Sequence, residues 1–187
     1  LSYALLGSAY YNTGQSEEAT KHLRRCLELN PKQADAFEIL ARIAYEKGEL
    51  DESVQLCQEA LKLSPMNVEA LNQLGRALMD LGRTEDSIKA LEQAVRLKRP
   101  TSESHYLLGQ ANLQSGNYRE ARENFLGATR LLPDHTQAYF GLYTAAMRLG
   151  ETEAAAQYRE QFLKLEAVDR QTLTDRSARD DTLTGLP

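Results

Sequence analysis

Five glycines, Gly14, Gly48, Gly82, Gly116 and Gly150, recur at intervals of 34 residues without a slip. A strict period of this length restricts a chain to architectures that stack one supersecondary unit on the next. Other columns keep the same frame. Pro31, Pro65 and Pro133 are in register, and Pro100 falls one residue late. Small residues recur at Ala19, Ser53, Ser87, Ala121 and Ala155, and again at Cys26, Ala60, Ala94 and Ala128. Leu6-Gly7, Leu40-Ala41, Leu74-Gly75 and Leu108-Gly109 form a further column.

Each column has a physical task. The periodic glycine ends one helix, where a left-handed residue is needed and only glycine enters without steric cost. Acidic and hydroxyl residues follow it: Ser16-Glu17-Glu18, Asp51-Glu52, Thr84-Glu85-Asp86 and Thr152-Glu153. They suit a helix start, where they cap free amides and meet the positive end of the dipole. The proline stops the second helix, and the small residues let neighbouring helices approach closely. Between these marks the apolar spacing is helical: Phe37, Leu40, Ile43 and Ala44 make one face, and Val54, Cys57, Ala60 and Leu61 another. The pattern predicts ten antiparallel helices in five pairs. First helices are expected at 1–13, 34–47, 67–81, 101–115 and 135–149, and second helices at 16–29, 50–63, 84–97, 118–131 and 152–167.

A 34-residue helix–turn–helix unit with Leu-Gly, a mid-repeat Gly, small residues and a late Pro resembles the tetratricopeptide repeat. Tyr3, Phe37, Leu71, His105 and Tyr139 occupy the column where that family often carries an aromatic. His105, and the Tyr143 that replaces the glycine of Leu-Gly, depart from the pattern and bear on local packing. The expected fold is therefore an all-α, right-handed solenoid of five repeats, 1–33, 34–67, 68–101, 102–135 and 136–167. Residues 168–187 would form a polar helix extension or linker.

The resemblance implies that first helices line a concave groove that receives a protein or peptide partner. The implied lining is Ala4, Ser8 and Tyr11, then Asp35, Glu38, Arg42 and Tyr45, then Glu69, Asn72, Arg76 and Met79. Tyr106, Gln110 and Leu113 continue it, and Phe140, Thr144 and Met147 complete it. Arg42 and Arg76 are one period apart, which would stack them on adjacent helices to hold a carboxylate or phosphate, or else leave them in solvated ion pairs with Glu38, Glu69 and their neighbours. Tyr106 and Phe140, likewise one period apart, would receive an apolar or aromatic side chain, or else simply pack in the core.

Chaperone-binding members of the family clamp a C-terminal carboxylate with Lys, Asn, Asn, Lys and Arg on three successive first helices. The matching runs here read Ala4, Ser8, Ile39, Glu69, Gln73; Glu38, Arg42, Gln73, Glu103, Leu107; and Asn72, Arg76, Leu107, Gln137, Gly141. Acidic residues stand where cations are required, so that specialisation is not expected.

Other classes find little support. A net charge of −5 is unlike the basic stripe of a nucleic-acid binder. No apolar run approaches the roughly 18 residues of a membrane span. Two cysteines, Cys26 and Cys57, make neither a disulfide framework nor a four-ligand zinc site, and both fall on apolar helix positions. His22, His105 and His135 lie in different repeats, no glycine loop is placed to cradle phosphate, and no catalytic set can be nominated. No enzyme activity, cofactor or metal is expected, and the cytoplasm stands as the default compartment.

The ends carry two further expectations. The chain begins with Leu inside the repeat frame and offers Leu1, Tyr3, Leu5 and Leu6 with no polar helix before them. Terminal repeats normally present a polar outer face, so more repeats upstream or self-association through this end is expected. At the other end, Ala178, Asp181 and Leu183-Thr184-Gly185-Leu186-Pro187 are similar to the opening of diguanylate cyclase (GGDEF-type) domains, A-x-x-D-x-L-T-G-L-P. Thr174 and Ser177 stand where those domains commonly carry Leu. That resemblance implies a solenoid serving as the input or dimerising arm of a signalling enzyme. The same residues also read as a helix end punctuated by Gly and Pro. A purely structural spacer, with no groove ligand, is the third reading.

Overall fold

A computed structural model describes residues 2–184, with side chains described through residue 172. Ten helices are seen among the described residues: α1 (Tyr3–Asn12), α2 (Ser16–Leu29), α3 (Ala34–Glu46), α4 (Leu50–Leu63), α5 (Val68–Asp80), α6 (Thr84–Arg96), α7 (Ser102–Gln114), α8 (Tyr118–Leu131), α9 (Thr136–Leu149) and α10 (Thr152–Thr184). Most ends fall within a residue or two of expectation. Where α5, α7 and α9 start one residue late, the residue expected inside the helix caps it instead. Asn67, Thr101 and His135 accept hydrogen bonds from the amides of Ala70, Ser104 and Ala138. α10 passes the expected end near 167 and continues to Thr184. Of the segment similar to a cyclase opening, residues 185–187 lie outside the described residues, as do the side chains beyond 172.

The turn inside each repeat is the same device five times. Gly14, Gly48, Gly82, Gly116 and Gly150 adopt φ between 74° and 80°. In the first repeat the Gly14 amide bonds the Tyr11 carbonyl at 2.9 Å and the Gln15 amide reaches the Tyr10 carbonyl at 2.9 Å. This reciprocal pair satisfies two carbonyls of the ending helix. The residues after it do one of the two tasks expected of them. The starts of α2, α4 and α6 have no side-chain cap, yet Glu17 and Glu18, Asp51 and Glu52, and Glu85 and Asp86 occupy their first turns. Their contribution is therefore the favourable interaction with the dipole.

Packing within repeats follows from the small-residue columns. A Cβ added at Gly109 would lie 2.6 Å from the Phe125 ring, and one at Gly75 would collide with Leu91. Repeat two has Ala41 in that place, and the residue facing it is correspondingly smaller, Cys57. Ser53 and Ser87, both fully buried, donate to the carbonyls of Ala41 at 2.8 Å and Gly75 at 2.7 Å. Each hydroxyl ties a second helix to its first helix, which is why serine substitutes for alanine there at no cost.

The departure at His105 is accommodated locally. His105 packs against Gly127, where an added Cβ would lie 2.7 Å from its ring, and its Nδ1 is 3.4 Å from Asn124 Oδ1. Phe125, fully buried, wedges between Gly109 and Gly141. Gly127 and Gly141 thus mark close approaches and are not repeat punctuation. Cys26 and Cys57 are buried free thiols, and burial pushes the Cys57 thiol up to about 12.

Every helix packs on its neighbours in sequence. In addition, α1 meets α3, α3 meets α5, α5 meets α7 and α7 meets α9, whereas no such contact joins successive second helices among the described residues. First helices therefore crowd together and second helices splay. The array curves with the first helices on the inside.

Candidate functional site

That crowding places the side chains of successive first helices side by side. On α3 the positions sharing the inner face are Asp35, Glu38, Ile39, Arg42 and Glu46, and on α5 they are Glu69, Asn72, Gln73, Arg76 and Asp80. A ladder links them. The Tyr11 hydroxyl donates to Glu46 Oε1 at 2.6 Å, and the Arg42 guanidinium lies over the Tyr11 ring, 4.9 Å from its centre. One period on, the Tyr45 hydroxyl donates to Asp80 Oδ2 at 2.6 Å, with Arg76 6.0 Å above that ring. Burial raises the Tyr11 phenol above its ordinary value, and the hydrogen bond to Glu46 adds to it. Burial together with Asp80 pushes Tyr45 up to about 12. Both phenols thus stay protonated donors at neutral pH.

The ladder stops at Met79. With Asp80, Gln110, Leu113 and Gln114, Met79 lines an open depression between α5 and α7. Gln110 donates to the Tyr106 hydroxyl at 2.9 Å. The Tyr106 ring rests 4.7 Å from His135 and 6.0 Å from Phe125, and burial is the main cause of its raised phenol. Farther along, Phe140 is 51% exposed and Met147 53% exposed on α9. Phe140 leans on Phe162 at 5.4 Å, and Thr144 Oγ1 donates to the Phe140 carbonyl at 2.9 Å. The groove therefore changes along its length, from a charged ladder on α1, α3 and α5 to amide, aromatic and methionine side chains on α7 and α9.

Arg42 and Arg76 lie on adjacent first helices in the same column, and each is engaged from within. Arg42 Nε is 3.3 Å from Glu38 Oε1. Arg76 pairs with Glu103 of the next repeat rather than with Glu69. Tyr106 is partly buried against core residues, whereas Phe140 projects outward. Sequence reasoning missed Glu46 and Asp80 as hydroxyl acceptors and Glu103 as the partner of Arg76. The first two were visible as a pair of acids one period apart, each 35 residues from its tyrosine.

Four polar atoms on this face are buried without a hydrogen-bond partner: Glu38 Oε1, Arg42 Nε, Asn72 Oδ1 and Gln73 Nε2. The Glu38–Arg42 pair is thus close in distance but misaligned for a hydrogen bond. Gln73, only 7% exposed, stands where the neighbouring repeats place Ile39 and Leu107. Among the described residues no group of three His, Cys, Asp or Glu side chains is arranged to hold a metal ion. No helix among them is long and apolar enough to cross a membrane.

Comparison with known proteins agrees with the fold. Two tetratricopeptide-repeat family profiles match, one over residues 5–67 and 106–167 and the other over residues 44–111. No curated protein matches the chain by sequence. Among solved structures, MamA superposes with a TM-score of 0.80 at 20% identity, covering 89% of this chain and 97% of that one. PilF of Pseudomonas aeruginosa gives 0.78 at 27% identity, over 87% of this chain and 74% of that one. YrrB, described as a tetratricopeptide-repeat protein with an unusual peptide-binding site, gives 0.75 at 19% identity, over 94% of this chain and 90% of that one.

Proposed function

The chain belongs to the tetratricopeptide-repeat family, and on that premise we propose that it is a scaffold holding a protein or peptide partner along the inner face of its first helices. The observation that carries this reading is the exposure of Phe140 and Met147 on that face, beside Tyr106 and Leu113 of the preceding repeat. Large apolar side chains left half in water on a concave surface gain most when a partner covers them. The peptide-binding site named for YrrB adds support by likeness of fold. On this reading the chain works by binding and carries no catalytic residues of its own. The proposed contact residues are Tyr11, Glu38, Arg42, Tyr45, Asn72, Arg76, Met79, Tyr106, Gln110, Phe140 and Thr144. Self-association through the first repeat belongs to the same proposal, because Tyr3 is 39% exposed and Leu5 63% exposed at that end.

The test is selection of ligands from a random short-peptide library with the whole chain, followed by an NMR footprint of each selected peptide. Shifts confined to α1, α3, α5, α7 and α9, and binding weakened by Phe140→Ser with Met147→Ser, are the expected result. A footprint on the second helices, or no selected peptide at all, would sink the reading.

A second reading rests on α10. This helix runs unbroken from Thr152 to Thr184, past the family match that ends at 167 and into the segment similar to a diguanylate cyclase opening. A continuous helix is a stiff connection, suited to a solenoid acting as the input or dimerising arm of a signalling enzyme. The coding sequence downstream of Pro187 tests it: a Gly-Gly-Asp/Glu-Glu-Phe-like motif is expected, and its absence rejects the idea.

A further inference from the structure

Six carboxylates share the inner face of α3, α5 and α7, namely Asp35, Glu38, Glu46, Glu69, Asp80 and Glu103, against the two guanidinium groups of Arg42 and Arg76. Both arginines are already committed, Arg42 to Glu38 and the Tyr11 ring, Arg76 to Glu103. Glu46 and Asp80 each receive only a tyrosine hydroxyl. Asp35 and Glu69 have no basic partner among the described residues. The arginine pair expected to attract an acidic ligand therefore sits inside a field of the opposite sign.

The excess is concentrated at one place. Glu38 senses the charges of Asp35 from its own helix and of Glu69 from α5, with Arg42 the opposing cation. Its Oε1 is buried 3.3 Å from Arg42 Nε without a hydrogen bond, Asn67 hydrogen-bonds the same carboxylate, and Asn72 Oδ1 is buried with no hydrogen-bond partner. Unmet acceptors beside uncompensated negative charge call for a donor that is also a cation. Gln73 shares the helix face of Glu69, Asn72 and Arg76, is only 7% exposed, and leaves its Nε2 donor unmet. A polar residue with an idle donor, in a column otherwise filled by Ile39 and Leu107, suits a main-chain carbonyl.

We propose that the inner face where α3 meets α5, at Asp35, Glu38, Glu69, Asn72 and Gln73, seats a lysine or arginine side chain of the partner polypeptide. The cation neutralises Asp35 and Glu69 and shares Glu38 with Arg42, while a turn of the buried Asn72 and Gln73 amides lets the first accept from it and the second donate to the partner's adjacent carbonyl. This deepens the groove-binding reading and rests on it.

The experiment uses the peptides selected above with the whole chain. Each selected peptide that footprints the first helices is remade with its basic residues replaced by citrulline, a neutral isostere of arginine that leaves the protein untouched. Affinity is expected to fall about tenfold or more. Glu38→Gln with Glu69→Gln should cost the original peptide a similar factor and the citrulline peptide little, giving a coupled cycle. Groove-binding peptides that are acidic, or indifferent to citrulline and to both Gln substitutions, would overturn the cation seat while leaving groove binding intact. Absence of any first-helix footprint would overturn both.

Discussion

Burial raises the proton affinity of the Glu38 carboxyl, and against the pull of Arg42 the charges of Glu69 and Asp35 raise it further. The folded state therefore binds this proton more tightly than the unfolded chain does. The resulting stability is fully present below the unfolded glutamate value of about 4.3 and is lost as pH rises through the higher folded value. Glu38→Gln should accordingly melt above the wild type at pH 7, with the difference vanishing below about pH 4. Relief of a carboxylate whose burial outweighs its pairing is worth on the order of 1 kcal/mol, or about 2–4 °C for a chain of this length. Thermal melts across pH read this directly, and a lower melting temperature at pH 7 would show that the carboxylate is stabilising as it stands. A second residue-scale case concerns Gly75 and Leu91, which meet where repeat two has Ala41 and Cys57. Gly75→Ala alone should cost about 1–3 kcal/mol by overpacking, and adding Leu91→Cys should recover part of that loss. Strict additivity in a double-mutant cycle would mean that the two side chains do not share the space. This complementarity was legible in the Leu-Gly column, because close approach leaves a mark in residue size. The ion pair of Arg42 with Glu38 was legible too, since the two stand one helical turn apart, but the partner of Arg76 was not. Period alone puts Arg76 on the face next to α7, whereas its choice of Glu103 over Glu69 depends on side-chain torsions that no spacing encodes.

Helix starts separate into two kinds that the sequence pattern treats alike. The first helices α5, α7 and α9 leave amides for a side chain to cap, as Asn67 does for Ala70 at 2.9 Å, whereas α1 and α3 start without one. Second helices α2, α4 and α6 begin directly after the left-handed glycine turn and carry no side-chain cap. Asn67→Ala should therefore destabilise the fold by about 1 kcal/mol, while Ser16→Ala should stay within about 0.5 kcal/mol. Denaturant melts of the two variants test the distinction, and equal losses would refute it. Helix number and pairing were readable because glycine and proline punctuate each unit for local steric reasons. The run of α10 to Thr184 was not, since the polar stretch after residue 167 has no apolar stripe and no breaker, and helix and linker look alike in such a sequence.

At the scale of the whole molecule, each repeat is secured only by its neighbours, so protection against local opening should follow the number of neighbours. α1 buries Gly7 alone, whereas α5 buries seven residues between flanking repeats. Amide hydrogen exchange in dilute solution should be fastest in α1 and slowest in α5. Dilution matters because Leu5 on α1 is left largely in water and Tyr3 partly so. If these side chains meet a second copy, as proposed, the amides of α1 gain a further neighbour. Their exchange should then slow as protein concentration rises, with α5 unchanged, since mass action stabilises only the element that the partner covers. The curvature of the array makes this selective, because the inner face on α3, α5 and α7 stays open whichever way the first repeat is capped. Exchange in α1 that stays fast at every concentration would remove self-association through this end and leave the groove as the proposed binding surface.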